Sequence, residues 1–335
     1  MRRNFAGGLV LVMGWVLLPS MGRSEFHTIT FQGWQDCIEL SNETARVVAA
    51  PAVGGRILHY SRDGGPNFLW EDPRAKGDTL DKAKRGVSVG GYQCDIGPEL
   101  ESPLPHPPLW VGRYEVEKLG PLAVRVTSAK DEATGIQMIK EIALDRTGAA
   151  VTVNQIMKNA GEKEASYCLW DRTMSNAEYA FFAMNPNSRF PAHWSVRQGE
   201  RDSYSYDGKS PSSPRVQMLG NLLVTVPGQK TEKVGADSQD GWVAGFRDGW
   251  LYVKKYSVVP GGDYADGGNT VELWVDAQKR TEIEPLGPKV KLAPGATSSL
   301  TERWDLRRVE VKISGAADIP NLLPIVRQMA PPQTP

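Results

Sequence analysis

Histidine and cysteine are both scarce in this chain of 335 residues, which contains four of the first and three of the second. The cysteines, Cys37, Cys94 and Cys168, include no pair with the C-x-x-C spacing of structural zinc sites and thioredoxin-like redox sites. Their odd number fits either one disulfide with a free thiol or three buried thiols. We therefore predict no metal ion and no other cofactor.

Net charge is also absent, because 39 Lys and Arg residues balance 39 Asp and Glu residues. No run of basic residues follows the first few positions, so the sequence does not predict a nucleic-acid-binding surface. No apolar run beyond the N-terminus approaches the length of a membrane span. This balance suits a neutral polar ligand better than a polyanion.

The N-terminal residues 1–22 have the pattern of a signal peptide. A basic start at Arg2 and Arg3 precedes an apolar stretch, residues 5–18, and the small residues Ser20 and Gly22 stand at the −3 and −1 positions of a cleavage site. The apolar stretch is shorter than the ~20 residues of a membrane-spanning helix. We expect a cleaved, exported protein, periplasmic or extracellular, with no membrane span after cleavage.

The rest of the chain lacks helical periodicity and contains short β-type runs separated by turn residues at intervals of about ten residues. The predicted strands are residues 47–50, 56–60, 68–70, 111–116, 122–127, 135–144, 149–158, 166–173, 216–226, 241–246, 250–259 and 270–275. This spacing predicts an all-β fold of antiparallel sheets packed as a sandwich. We assign residues 23–315 to one β domain and residues 316–335 to a C-terminal tail that is partly disordered.

Two long segments, residues 86–108 and 185–214, are rich in Gly, Pro and polar residues and are predicted to be loops. Long irregular loops in a compact domain are often functional, so the segment 86–108 is expected to form a wall of the site. Each of the two segments contains a histidine, His106 and His193 respectively.

The segment 281–306 predicts a strand that ends in a carboxylate. Glu282 and Glu284 point to one face of an extended chain and Ile283 to the other, and Pro285 ends the strand because it has no N–H to donate. Pro294 and the following glycine predict a turn, and residues 298–311 a returning strand. From physics alone, this segment is a β-hairpin with two solvated glutamates.

The same segment resembles the C-terminal signature of galactose mutarotase-like proteins, in which a strand ending in Glu precedes a Leu-x-Pro-Gly turn and a strand with Trp. Here the signature reads Glu284-Pro285-Leu286-Gly287, Leu292-Ala293-Pro294-Gly295 and Glu302-Arg303-Trp304. Further matches, similar to an uncharacterised family of secreted mutarotase-like domains, are Val53-Gly54-Gly55-Arg56-Ile57, Gly90-Gly91 with Pro98-Glu99, and Lys158-Asn159. The resemblance implies a β-supersandwich of two large, mostly antiparallel sheets with a sugar groove on one of them.

The resemblance also implies that Glu284 stands where aldose 1-epimerases have their general base. Mutarotation needs an acid as well, and the places where those enzymes carry histidines contain none here. His193, in the second long loop, is a displaced candidate. Asp171 is another, if burial raises its pKa.

Three functions stay open. The first is an exported carbohydrate-binding protein that contacts a mono- or oligosaccharide through Glu284, Asp171 and a set of substrate-binding candidates: Gln93, Glu99, Trp170, Arg172, Trp194 and Lys254. In this carbohydrate-binding function, the ring face of Trp170 or Trp194 packs against the sugar. The second is an aldose 1-epimerase with Glu284 as base. The third is a structural domain without a ligand.

Overall fold

A computed structural model describes residues 25–78, 89–99, 101–102, 106–198, 205–206, 212–277 and 280–331. The predicted signal peptide, residues 1–22, lies outside the described residues. Strands are numbered below in chain order.

Within the described residues, the first sheet has 12 antiparallel strands. Its spatial order is β1 (Glu25–Phe31), β2 (Trp34–Ser41), β3 (Ala45–Ala50), β4 (Arg56–Arg62), β5 (Tyr92–Gly97), β10 (Ala165–Ser175), β20 (Thr281–Pro285), β19 (Val271–Val275), β16 (Glu232–Ala236), β12 (Ser195–Gln198) and β13 (Ser205–Tyr206), with β21 (Val290–Leu292) paired to the start of β10. Its centre therefore joins strands from four distant parts of the chain.

The second sheet has 10 antiparallel strands in the part of the chain that the structure describes. Its order is β14 (Val216–Leu219), β15 (Leu222–Thr225), β11 (Tyr179–Ala183), β17 (Trp242–Arg247), β18 (Trp250–Tyr256), β22 (Thr297–Arg308), β9 (Val151–Asn159), β8 (Ile136–Leu144), β7 (Ala123–Ser128) and β6 (Tyr114–Gly120). These two sheets confirm the predicted all-β supersandwich.

The main hydrophobic core lies between the sheets. Leu169 and Ile283 enter it from the first sheet and Val153 from the second, because alternate residues of each strand point to the same side. Trp304 is fully buried at its centre, and the ring of Tyr252 packs edge-on to it at a centroid distance of 5.9 Å. Each such large apolar side chain contributes about 1.5–3 kcal/mol on burial.

Four short helical segments complete the described part of the fold. A 3₁₀ helix (Pro51–Val53) follows β3, helix α1 (Pro107–Trp110) follows β5, and a second 3₁₀ helix (Ala316–Leu322) leads into α2 (Leu323–Met329). The last two cover the outer face of the second sheet with Ile319 and Val326. The tail predicted from residue 316 is therefore folded as far as these helices extend. Its last four residues lie outside the described part of the chain, and disorder there stays a prediction.

Three expectations are wrong. The segment 185–214 was predicted to be a loop, but it contains β12 and β13 of the first sheet. The segment 86–108 was predicted to be a loop, but it contains β5, a fully buried strand in the centre of the first sheet. The segment 281–306 was predicted to be a hairpin, but its first strand lies in the first sheet and β22 in the second. Glycine and polar residues concealed β5, because they look like loop residues until their partner strands are known.

The three cysteines are buried and unpaired, which decides between the two alternatives for them. Within the described residues, no helix has the length and apolar character that crossing a membrane requires.

Candidate functional site

A row of polar side chains crosses the outer face of the first sheet. Strand β10 pairs Thr173 with Ile283 of β20 and Arg172 with Gln93 of β5, which places Arg172 opposite Glu284. Residues opposite each other in antiparallel strands share a face, so these side chains are neighbours about 5 Å apart. The Glu284 row, as we call it, consists of Arg56, Gln93, Arg172, Glu284 and Glu272 on five adjacent strands.

Glu284 is fully buried at the centre of this row. Its Oε2 accepts a hydrogen bond of 2.7 Å from the indole Nε1 of Trp170 and forms an ion pair of 2.9 Å with Lys233 Nζ. Because Ile283 points into the core, alternation turns Glu284 outward, as the sequence predicted.

Lys233 connects three carboxylates. Besides Glu284, its Nζ lies 3.1 Å from Glu272 and 3.7 Å from Glu99, and 4.6 Å above the ring of Trp170. Burial disfavours the charged form, but the three carboxylates outweigh burial and raise the pKa of Lys233. Lys233 is therefore a permanent cation.

Glu99 completes the cluster from the loop after β5. Its Oε1 accepts a hydrogen bond of 2.5 Å from Arg172 and its Oε2 one of 2.6 Å from Arg197. Burial opposes its ionisation, but Lys233 and the two arginines hold its pKa well below the usual range. Glu99 and Arg197 keep 13% and 10% of their side chains exposed, so the cluster meets solvent on this side.

The charges of this cluster cancel, since three cations face three carboxylates: Arg172, Arg197, Lys233, Glu99, Glu272 and Glu284. A neutral cluster disfavours a strongly charged ligand.

Three neighbouring members of the Glu284 row each hold one buried polar atom without a partner among the described residues: Gln93 Nε2, Arg172 Nη1 and Glu284 Oε1. Gln93 uses its other atom, Oε1, to accept a hydrogen bond from Arg56. Buried polar groups are nearly always hydrogen-bonded, so two donors and one acceptor in line call for a bound polar group.

A histidine borders the row on the side of β5. His106 Nδ1 lies 3.0 Å from Asp95 Oδ1, and its Nε2 lies 2.8 Å from Ser102 Oγ. Burial lowers the pKa of His106, but the hydrogen bond and charge of Asp95 outweigh this and raise it. Helix α1 then places the half-buried ring of Trp110 against the guanidinium of Arg172. The distance from Arg172 Cζ to the ring centroid of Trp110 is 5.3 Å.

Glu282 lies on the same face as Glu284, two residues before it. Burial and the charge of Glu284 raise the pKa of Glu282 to about 7, although Arg280, 3.7 Å from its Oε1, works against the shift. A carboxyl group that is half protonated near neutral pH therefore stands beside an ion-paired one.

The predicted residues fall into two groups. The structure brings together Glu284, Glu99, Gln93, Trp170 and Arg172. The indole of Trp170 is completely buried and two cations lie against its ring, so it binds Glu284 rather than offering an open platform.

Asp171 and Lys254 lie elsewhere, in the core between the sheets, and do not line the groove. Asp171 alternates with Trp170 and Arg172 and so points inward, where it pairs with Lys254 of the second sheet. Lys254 also lies 3.1 Å from Glu302. Burial and the charge of Glu302 raise the pKa of Asp171 well above its ordinary value.

His193 and Trp194 are also away from the row. His193 is exposed, and its Nδ1 donates to the carbonyl oxygen of Asn185. Trp194 is 2% exposed and belongs to the hydrophobic core. Neither contacts Glu284 in the portion of the chain that the structure describes.

Sequence reasoning missed Lys233, Arg197, Glu272 and Trp110 as parts of the site. Lys233 and Arg197 alternate with buried valines, Val234 and Val196, which is the one local signal that they share a sheet face. Their proximity to Glu284 follows from strand order, which the sequence does not reveal.

Solved structures with the same fold include two galactose mutarotase-like proteins. The protein from Lactobacillus casei is 14% identical, with a TM-score of 0.56 over 81% of this chain and 100% of that one. The protein from Clostridium acetobutylicum is 11% identical, with a TM-score of 0.57 over 85% and 98%. A galactose mutarotase related enzyme from Lactobacillus acidophilus is 12% identical, with a TM-score of 0.54 over 83% and 100%.

The chain therefore has a galactose mutarotase-like fold, as the C-terminal signature predicted. No match was found among curated proteins. The family model for a domain of unknown function, DUF4380, matches residues 103–307, which is more than half of the 335 residues. The chain belongs to the DUF4380 family.

Proposed function

We propose that this protein binds a neutral carbohydrate at the Glu284 row. The observation that carries the proposal is a line of three buried atoms, on Gln93, Arg172 and Glu284, that have no hydrogen-bond partner among the described residues. Sugar hydroxyls both donate and accept, so neighbouring hydroxyls of one ring match two donors and an acceptor at the spacing of adjacent strands.

Charge and shape support the same ligand. The cluster around Lys233 is electrically neutral, which suits an uncharged polyhydroxylated molecule. Trp110, half-buried above Arg172, supplies aromatic surface of the kind that packs against a pyranose ring. The mutarotase-like fold of the solved structures named above agrees with a sugar ligand.

Binding is tested by a glycan array followed by titration calorimetry with the best sugars. Glu284→Gln keeps the shape but removes the charged acceptor, and a hydrogen bond to a charged group contributes about 1.5–3 kcal/mol, so affinity should fall at least tenfold. Glu115→Gln, an exposed carboxylate on the other sheet, is the matched control. Equal affinity of the wild type and Glu284→Gln would refute the proposed site, provided that circular dichroism shows both folded.

A second candidate is an aldose 1-epimerase with Glu284 as the base. The observation in its favour is Glu282, whose pKa of about 7 suits a general acid at neutral pH. Neither Asp171 nor His193 supports this role, since they lie away from the row.

Anomer interconversion of fresh α-aldoses, followed by NMR, distinguishes the two candidates. An epimerase should lose a factor of about 10² or more in rate in both Glu284→Gln and Glu282→Gln. No acceleration above buffer catalysis would reject the epimerase for the sugars tested and leave the binding proposal standing.

Export is part of the proposal and depends on residues 1–22. Sequencing the mature N-terminus from a secreted or periplasmic fraction should give a start near Arg23. A full-length product that retains Met1 in the cytoplasm would contradict it.

A further inference from the structure

A second row lies on the same sheet face, one pleat from the Glu284 row. The bridge between Leu69 and Ser175 sets Trp70 opposite Met174, and the backbone N–H of Trp70 donates to the Met174 carbonyl at 2.9 Å. We call this the Glu282 row, and it consists of Trp70, Met174, Glu282 and Trp274. Trp274 is half-buried on this outer face.

Arg280 joins the two tryptophans of the Glu282 row. Its guanidinium lies 4.9 Å from the ring centroid of Trp70 and 4.4 Å from that of Trp274. Asp276, 3.2 Å away, and Glu282 balance its charge. Since both indoles are only half-buried, they present aromatic surface beside a neutral polar group, which is the composition that a sugar ring packs against.

A cavity of about 400 Å³ lies at the Trp70 end of the Glu282 row, and Trp70 is the member of the row that lines it. Trp70 and Thr281 form one wall, and Asn176, Arg215 and Arg247 contribute to the others. Arg215 is 4% exposed and donates hydrogen bonds to the backbone carbonyls of Val226 and Lys230. These hydrogen bonds hold its side chain in position at the cavity wall. The volume falls within the range of small-ligand sites.

We propose that the carbohydrate is an oligosaccharide whose second unit occupies the subsite formed by Trp70, Arg280, Trp274 and this cavity. The inference depends on the proposed carbohydrate binding at the Glu284 row and extends it. Along β20, Glu282 and Glu284 share the outer face and are two residues or about 7 Å apart, which is further than one sugar ring spans. A single ring bound at Glu284 leaves the Glu282 row empty, and a second linked ring fills it.

The test measures affinity against chain length by titration calorimetry. The probes are glucose, galactose and mannose with their 1,4-linked di-, tri- and tetrasaccharides. The best oligosaccharide should bind about tenfold more tightly than its monosaccharide. In Trp274→Ala and Trp70→Ala this gain should disappear while monosaccharide affinity stays at the wild-type value.

Two further variants make the outcome decisive. Trp274→Leu retains apolar volume and covers the case in which the alanine variant fails to fold. Trp250→Ala removes a half-buried tryptophan of the second sheet and should leave the gain intact. Glu284→Gln should weaken short and long sugars alike.

The failures are distinguishable. Equal affinity for one unit and for several, or a gain that survives Trp274→Leu, would overturn the second subsite and leave monosaccharide binding standing. No binding of any length would overturn the proposed function and this inference with it.

Discussion

Replacing Glu282 by glutamine should make the protein more stable above neutral pH. Burial and the neighbouring charge of Glu284 raise the pKa of Glu282 from its ordinary value of 4.5 to about 7. The folded state therefore binds this proton more tightly than the unfolded chain does. The stability that results is fully present below pH 4.5 and is lost as the pH rises through 7.

The magnitude follows from the size of the shift. One pKa unit corresponds to 1.36 kcal/mol, so the shift from 4.5 to about 7 corresponds to about 3 kcal/mol. Glutamine stays neutral at every pH and does not carry this cost. The difference in unfolding free energy, variant minus wild type, should therefore rise by about 3 kcal/mol between pH 4.5 and pH 8.

Urea denaturation from pH 4.5 to pH 8 measures this difference, with Glu115→Gln as the exposed control that should follow the wild type. A difference that stays flat across this range would refute the reasoning. It would mean that Arg280 and the other nearby cations keep Glu282 ionised.

Three other outcomes are expected. Lys254→Met leaves two buried interior carboxylates without their cation and should lower the unfolding free energy by about 3–5 kcal/mol, as measured by urea denaturation. Gly97→Ala puts a methyl group into van der Waals overlap with the Trp170 indole. It should lower the unfolding free energy by about 1–3 kcal/mol and shift the tryptophan fluorescence. An unchanged spectrum would contradict this packing. His106→Gln should destabilise the protein most below pH 6.5 and progressively less as the pH rises through the raised pKa of His106, because the protonated ring binds Asp95 more strongly than the neutral ring does. Urea midpoints that differ equally at pH 5.5 and pH 9 would contradict this expectation.

Local patterns were sufficient to predict how β20 is built. Alternation placed Glu284 on the outer face and Ile283 in the core, and Pro285 marked the last residue of the strand. These features depend on near neighbours in sequence, which is why they could be predicted without a structure. The strand segments of the second sheet were predictable for the same reason, since β8 and β9 show strict alternation.

The site as a whole needed the strand order. Glu99, Lys233 and Glu284 are more than 50 residues apart in sequence. The pairing of β16, β19 and β20 brings Lys233 to Glu284, and the pairing of β5, β10 and β20 brings in Glu99, which follows β5. Asp171 failed as a groove residue for a simpler reason. It is adjacent to Arg172, and two consecutive strand residues cannot face the same side, so only one of them could belong to the groove.

Strand β10 carries charges on both of its faces, and this arrangement protects its alignment during folding. A slip by one residue would turn Asp171 outward among Glu99 and Glu284, and Arg172 inward towards Lys254. Like charges would then meet on both sides of the sheet at once, away from water. Charge repulsion therefore destabilises the nearest misaligned form of the central strand on both faces, and the buried charges favour the correct alignment.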